Sequence, residues 1–259
     1  MDNGEIISGR LRVALPTIGI LLLLAGWQSL AQFVVADPSL LPTPVQVGRS
    51  LWAWILSGGF MPHLLATVYG ALGGLCLGAG LGFVSGVIVG EVRLLNRALY
   101  PMVLALQAMP IVAVAPMIIV WFGIGLASKM ALVVVGTFFV MFIHTVAGMQ
   151  AAPIELLDMG QAFGGRRWRI ALAIKVRASL DYVFSGLEVC AALSFILCVV
   201  GEFLAARAGL GYYLRAASYD INASSMFAAV VVLSVLASLL ALAVRVAHHR
   251  VVFWKYRKH

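Results

Sequence analysis

Charge is scarce in this chain. Its 259 residues include eighteen Lys and Arg and ten Asp and Glu, 11% in all, where a soluble domain carries roughly 25%. Hydrophobic residues make up 63% and the mean hydropathy is +1.03. No water-soluble fold hides that much apolar surface, so a bilayer is the solvent for most of the chain. Cysteine is scarce too. Cys76, Cys190 and Cys198 sit singly inside apolar runs, without the Cys-x-x-Cys spacing of a metal site, and read as core thiols. The His248-His249 pair has no carboxylate or cysteine neighbour in sequence, which argues against metal binding. The phosphate-cradling pattern G-x-x-x-x-G-K-[ST] is missing, and Gly-Lys does not occur even as a dipeptide. No acid pair, Ser-His-Asp set or HExxH helix suggests catalysis. These absences predict a non-enzyme that binds no cofactor itself.

What is present is a series of apolar runs. About twenty apolar residues cross a hydrocarbon core, and six runs qualify: Val13–Val35, His63–Gly90, Leu99–Phe122, Met130–Met149, Leu180–Val200 and Met226–Val246. The expected fold class is all-α, a polytopic membrane protein of about six transmembrane helices. It is read as a single domain over residues 1–259, with its core in 63–246. The first run is too long for the 7–15-residue apolar region of a signal peptide, so it is read as a retained span. Between the first two runs, Pro38, Pro42 and Pro44 break helix, and Leu51–Leu56 is expected as a short interfacial helix with Trp52 and Trp54 at the headgroups.

The net charge of +8 would point to nucleic acid in a soluble protein. Here the bases gather at the ends of apolar runs, so lipid and topology explain them, and no nucleic-acid partner is expected. Fourteen bases fall on one side of the six-span arrangement: Arg10, Arg12, Arg93, Arg97, Arg166, Arg167, Arg169, Lys175, Arg177, Arg245, Arg250, Lys255, Arg257 and Lys258. Four fall on the other: Arg49, Lys129, Arg207 and Arg215. Positive charge stays inside, which predicts cytoplasmic termini and a cytoplasmic loop at Ala151–Asp181. The tail from Arg245 reads as snorkelling and aromatic anchoring at the inner face.

The second run carries Gly70, Gly74, Gly78, Gly82, Gly86 and Gly90, one at every fourth position. Such spacing lets two helix backbones approach closely, and intramolecular packing is preferred to a subunit interface. The third run contains Gln107, Met109, Pro110 and Pro116. Proline removes backbone hydrogen bonds and kinks helices, a break tolerated where the backbone lines a cavity. Polar groups at membrane depth face a cavity or a partner. Gln107, Met109, Pro110, Thr137, Glu188 and Glu202 are therefore candidates for a solute path. Glu188 has structural and functional readings of equal weight, and Glu202 at the outer end has a second reading as a mere loop cap.

The loop AAPIELLDMGQAFGGRRWRIALAIKVRASLD, from Ala151 to Asp181, is the polar centre of the chain. Pro153 suits a first helical turn, and Glu155 and Asp158 place negative charge near its start. Gly164-Gly165 supplies the left-handed stop. A short exposed helix between two spans is expected, suited to docking something.

This loop resembles the "EAA" loop of ABC importer permeases. Asp158-Met159-Gly160 stands at the acidic-Ala-Ala triplet, Gly164 at the glycine four residues after it and Ile174 at the isoleucine ten residues further, while Val176-Arg177 stands where the family has Leu-Pro. The segment ALQAMPIVAVAPMIIVWFGIGLASK, and VVGEFLAARAGLGYYL with Glu202 and Gly209-Leu210-Gly211, resemble the subfamily for nitrate, sulfonates, taurine, bicarbonate and vitamin precursors. The resemblance implies a permease subunit in a bacterial inner membrane, paired as a homodimer. A separate ABC ATPase subunit would hold ATP and Mg, and an extracytoplasmic solute-binding protein would deliver a small solute. It also implies that Glu155, Asp158, Met159, Gly160 and Gly164 form the ATPase-coupling element. The alternative is a secondary transporter driven by an ion gradient, whose folds use discontinuous helices.

Overall fold

The computed structural model describes the backbone of residues 3–35 and 37–253, and side chains from Leu15 onward except Pro16. The side chains of Arg10 and Arg12 and the tail 254–259 lie outside the described residues. About 86% of the chain is helical, without strands among the described residues. Two compact units can be distinguished: residues 1–60 with 213–231, and residues 61–212 with 232–259.

In the first unit, α1 (Asn3–Ser29) runs into a π-helical turn at Leu30–Val35. Helix α2 (Pro44–Leu56) is twice the length read from Leu51–Leu56. Its start is a capping box: the Thr43 hydroxyl accepts from the Gln46 N–H at 3.3 Å, and the Gln46 side chain accepts from the Thr43 N–H at 2.8 Å. Pro44 then takes the first helical position, where a missing N–H costs nothing. Trp52 is exposed, but Trp54 is not a headgroup anchor. It is buried, stacked on Tyr213 at 3.7 Å and edge-on to Phe60 at 5.0 Å.

The second unit is built on α3 (Phe60–Glu91), α6 (Leu126–Gln150) and α9 (Val176–Ala205). Lipid supplies no hydrophobic drive between helices, so contact depends on close packing by small residues. The ladder glycines of α3 face α6. A Cβ on Gly74 would lie 2.7 Å from Val133 Cγ1, one on Gly82 would lie 2.6 Å from the Phe138 carbonyl, and one on Gly86 would lie 2.7 Å from Thr145 Cβ. Gly78 stands in the same register against Thr137 and Val134, Gly90 against Met149, and Gly70 against Cys198 and Lys129. The other side of α6 meets α9 through a second small-residue seam not singled out in the sequence: Gly148 against Ser179, Gly186 against His144 and Gly201 against Lys129. Apolar clusters fill between, with Leu75, Val140, Met141 and Cys190 in one and Ala71, Val133, Phe195 and Cys198 in another. Cys190 and Cys198 are core thiols, whereas Cys76 is exposed.

Among the described residues, five helices are long and apolar enough to cross a membrane: Thr17–Val35, Phe60–Glu91, Leu126–Gln150, Arg167–Ala205 and Ala223–Val251. The third expected span, Leu99–Phe122, is not one rod. It is divided between α4 (Arg93–Gln107) and α5 (Ile111–Phe122), which meet at 95°. Pro110 is responsible: it lacks an N–H, it pushes the residue before it away from helical geometry, and at φ −69° and ψ 100° it becomes the cap of α5. Pro116 stays within α5 without ending it. The remaining elements are α7 (Ile154–Ala162), α8 (Arg167–Ile170), a π-helical turn at Ala171–Lys175, α10 (Leu210–Tyr219) and α11 (Ala223–Val251).

Candidate functional site

Helix α7 has nine residues and buries none of them. Pro153 is its cap, and Glu155 lies in its first turn, where the positive end of the helix favours a carboxylate. The far end closes as a Schellman motif. The Gly165 N–H donates to the Gly160 carbonyl at 3.0 Å, and the Gly164 N–H to the Gln161 carbonyl at 2.8 Å. Gly164 has φ +71° and open space around it, so its conformation is what requires glycine. Gly165 is needed for closeness, since a Cβ there would lie 2.7 Å from the Gly160 carbonyl. Gly160 in turn packs on Ile174 and Ile170. Glu155, Asp158 and Met159 all stand exposed. Ile154, Leu156 and Phe163 are exposed as well, Phe163 to 85%. Here a short polar-and-apolar ridge projects from an otherwise apolar chain.

The loop is fastened to α3 by a group that sequence reasoning did not single out. Glu91, the last residue of α3, is buried to 3% side-chain exposure. Its carboxylate accepts from Arg167 Nε at 2.7 Å and from Lys175 Nζ at 2.7 Å, while Arg167 Nη2 also donates to the Glu91 carbonyl. One signal was available: Glu91 is the sole acid between Asp37 and Glu155, and it directly follows the last rung of the glycine ladder.

A second buried charge cluster joins α3, α6 and α9 near the opposite end of α3. Lys129 Nζ lies 2.8 Å from Glu202 Oε1 and donates to the Ala66 carbonyl at 2.9 Å. The Thr67 hydroxyl donates to Glu202 Oε2 at 2.8 Å and accepts from the Leu210 N–H at 2.8 Å. The Gly211 N–H reaches Glu202 Oε2 at 3.0 Å. Two N–H groups at the start of α10, which have no partner within the helix, thus meet a hydroxyl and a carboxylate, as an N-terminus favours. Gly209, at φ +130°, lies directly against the Glu202 carboxylate, where no side chain would fit. Glu202 is therefore more than a loop cap, and Lys129 is a buried partner rather than an exposed outer base.

The six expected path residues fall at four places. Gln107, Met109 and Pro110 gather on the exposed bend between α4 and α5. Thr137 is wholly buried, donates to the Val133 carbonyl at 2.7 Å and packs on Gly78. Glu188 faces α11, with Oε2 3.6 Å from Arg245 Nε and Oε1 3.5 Å from His248 Nδ1. Asp181 Oδ1 stands 3.1 Å from the other ring nitrogen of His248. Glu202 lies in the buried cluster above. The helix-packing residues Gly70, Gly74, Gly78, Gly82, Gly86 and Gly90 line one seam, as described.

Residues 78–253 match the family described as binding-protein-dependent transport system inner membrane component. The riboflavin transport system permease protein RibX of Chloroflexus aurantiacus is 34% identical over 85% of this chain and 82% of its own length. The putative aliphatic sulfonates transport permease protein SsuC of Bacillus subtilis is 28% identical over 90% of this chain and 84% of its own. A chain of the inward-facing MetNI methionine ABC transporter superposes with TM-score 0.63 at 19% identity, covering 77% of this chain and 97% of that one. One from a bacterial alginate ABC transporter, in complex with its alginate-bound periplasmic protein, gives 0.64 at 12% identity, covering 94% and 97%. At those identities the structures speak for the fold alone. With its apolar helices, its capped α7 and a family match over residues 78–253, this chain belongs to the inner-membrane permease components of binding-protein-dependent ABC transport systems.

Proposed function

We propose that this chain forms the translocation path of an ATP-driven importer for a small solute and that α7 couples it to a separate ATPase subunit. The observation that carries the reading is α7 itself: a helix with no buried residue, capped at its far end, with Ile154, Met159 and Phe163 exposed. Apolar side chains held out on a rigid turn suit insertion into a partner's groove. Glu155, Asp158, Met159, Gly160 and Gly164 would then carry the ATPase contact or its shape. ATP and Mg would belong to that partner. Two copies of this chain would enclose the path, and an extracytoplasmic binding protein would load it. ATP binding would draw the two α7 helices together and reorient the cavity as rigid bodies.

The charge asymmetry of fourteen bases to four supports cytoplasmic termini and a cytoplasmic α7. For the solute, relatives named for riboflavin, aliphatic sulfonates, formylaminopyrimidine and taurine support a small anion or a vitamin precursor. The test of coupling is a reconstituted complex carrying Gly164→Val or Asp158→Ala. Weakened ATPase association with normal membrane insertion is expected. If both variants keep wild-type association and transport, α7 is not the coupling element. Uptake driven by an ion gradient without ATP would favour a secondary transporter instead.

A further inference from the structure

Glu91 is an expensive residue to keep where it is. Its carboxylate is almost fully withdrawn from solvent, and desolvation opposes the charged form before any pairing offsets it. Apolar packing would fasten two helices equally well, and replacing a buried ion pair by apolar groups is often neutral or stabilising. An ionic connection differs in being directional: it fixes register between two specific backbones.

The registers it fixes are informative. Arg167 opens α8 and Lys175 closes the π-helical turn, so the two donors bracket the segment holding Ile170 and Ile174. Those are the side chains on which Gly160 of α7 packs, with Ile174 Cδ1 at 3.0 Å and Ile170 Cγ1 at 3.3 Å from a Cβ position there. Ile170 also closes on Gly165. On the other side of the connection, Glu91 ends the helix whose ladder glycines lie against α6 from Gly70 down to Gly90 on Met149. Helix α6 leads through residues 151–153 straight into α7. The α7 loop is therefore held at its entry by α6 and at its exit by Glu91, and both holds converge on the α3–α6 pair.

We propose that Glu91 is a positioning residue for coupling: displacement of α7 passes through Ile170 and Ile174 to Arg167 and Lys175, and from them through Glu91 into α3. This rests on α7 being the helix that meets the ATPase.

The experiment uses the full complex of this chain with its cognate ATPase in proteoliposomes. Cys76→Ser removes the exposed native thiol. A bimane fluorophore is placed on α3 at Leu65→Cys, which is exposed, or on α7 at Gln161→Cys, also exposed. The stimulus is ATP–Mg with vanadate, so no transported solute has to be known. In the parent both probes are expected to respond. In Glu91→Gln the complex should assemble, hydrolyse ATP within about twofold of the parent and keep the α7 response, while the α3 response falls about tenfold, within the 5–150-fold range of allosteric coupling. Lys175→Met, which removes one donor of two, should give an intermediate loss, and Glu91→Asp should recover part of it. An unchanged α3 response in Glu91→Gln overturns the proposal. So does a loss of assembly and hydrolysis in step with the α3 response that Glu91→Asp and Lys175→Met share, because Glu91 is then only a structural fixing point. If the parent binds no ATPase, or its α7 probe is silent, the docking reading itself has failed, and this inference with it.

Discussion

Lys129 and Glu202 pair at 2.8 Å with side-chain exposures of 6% and 0%, seventy-three residues apart in sequence. Breaking a buried pair from one side leaves the other charge uncompensated, at a cost of about 3–5 kcal/mol. Lys129→Met is therefore expected to lower thermal stability in detergent sharply. The double variant Lys129→Met/Glu202→Gln should recover part of the loss, because no unpaired charge remains and the amide that replaces the carboxylate keeps an oxygen to accept from the Gly211 N–H. A double variant whose loss equals the sum of the losses in Lys129→Met and Glu202→Gln alone would show that the pair has no energetic coupling.

The glycine seam predicts a graded series. Gly80 has nothing within 4 Å of its Cβ position, whereas Gly78 faces Thr137 and the Val134 carbonyl, the latter at 2.6 Å, and Gly82 faces the Phe138 carbonyl at 2.6 Å. Gly80→Ala should leave yield and thermal stability unchanged. Overpacking costs roughly 1–3 kcal/mol, so Gly78→Ala and Gly82→Ala should destabilise by about that much. Gly78→Leu and Gly82→Leu should not assemble. Size-exclusion profiles and thermal scans of the five variants check the order.

At the end of α7 two adjacent glycines should answer differently. Gly164 needs only its positive φ, and Asn is several-fold enriched in that region. Gly164→Asn should be tolerated, while Gly164→Val should lose roughly 1 kcal/mol or more. Gly165→Ala meets the Gly160 carbonyl and Ile170 and should distort the cap in a way Gly164→Asn does not. Hydrogen exchange at the amides of residues 160–165 reads the difference directly.

The proposed orientation is testable with thiols. Trp168 and Arg207 are both exposed. With Cys76→Ser as background, an impermeant reagent applied to intact cells should label Arg207→Cys and spare Trp168→Cys. The reverse pattern would invert the topology. Lys129, buried in its ion pair, is unsuited to this use.

Periodic features were the legible ones. The apolar runs announced the helices, the fourfold spacing announced a close seam on α3, and Gly164-Gly165 announced the stop after α7. Pairings across long sequence separation were not legible. Glu91 and Lys175 lie 84 positions apart, and Lys129 looked like an ordinary outer base because a charge count has no depth coordinate. Likewise the prolines of the third run signalled a break, but the size of the turn at Pro110 depends on what α4 and α5 each pack against. Trp54 was misplaced for a related reason. An indole suits a headgroup region and an aromatic stack equally, and only the presence of Tyr213 decides between them.

The bend at Pro110 leaves a short second limb. The twelve residues of α5 measure about 18 Å at 1.5 Å per residue, against roughly 30 Å of hydrocarbon. Alone, α5 falls short of that thickness, so no straight crossing of the hydrocarbon runs through it. Val112, Met117 and Val120 on α5 are exposed in the single chain. In a complete transporter that exposed face is left to lipid or to a second chain to cover.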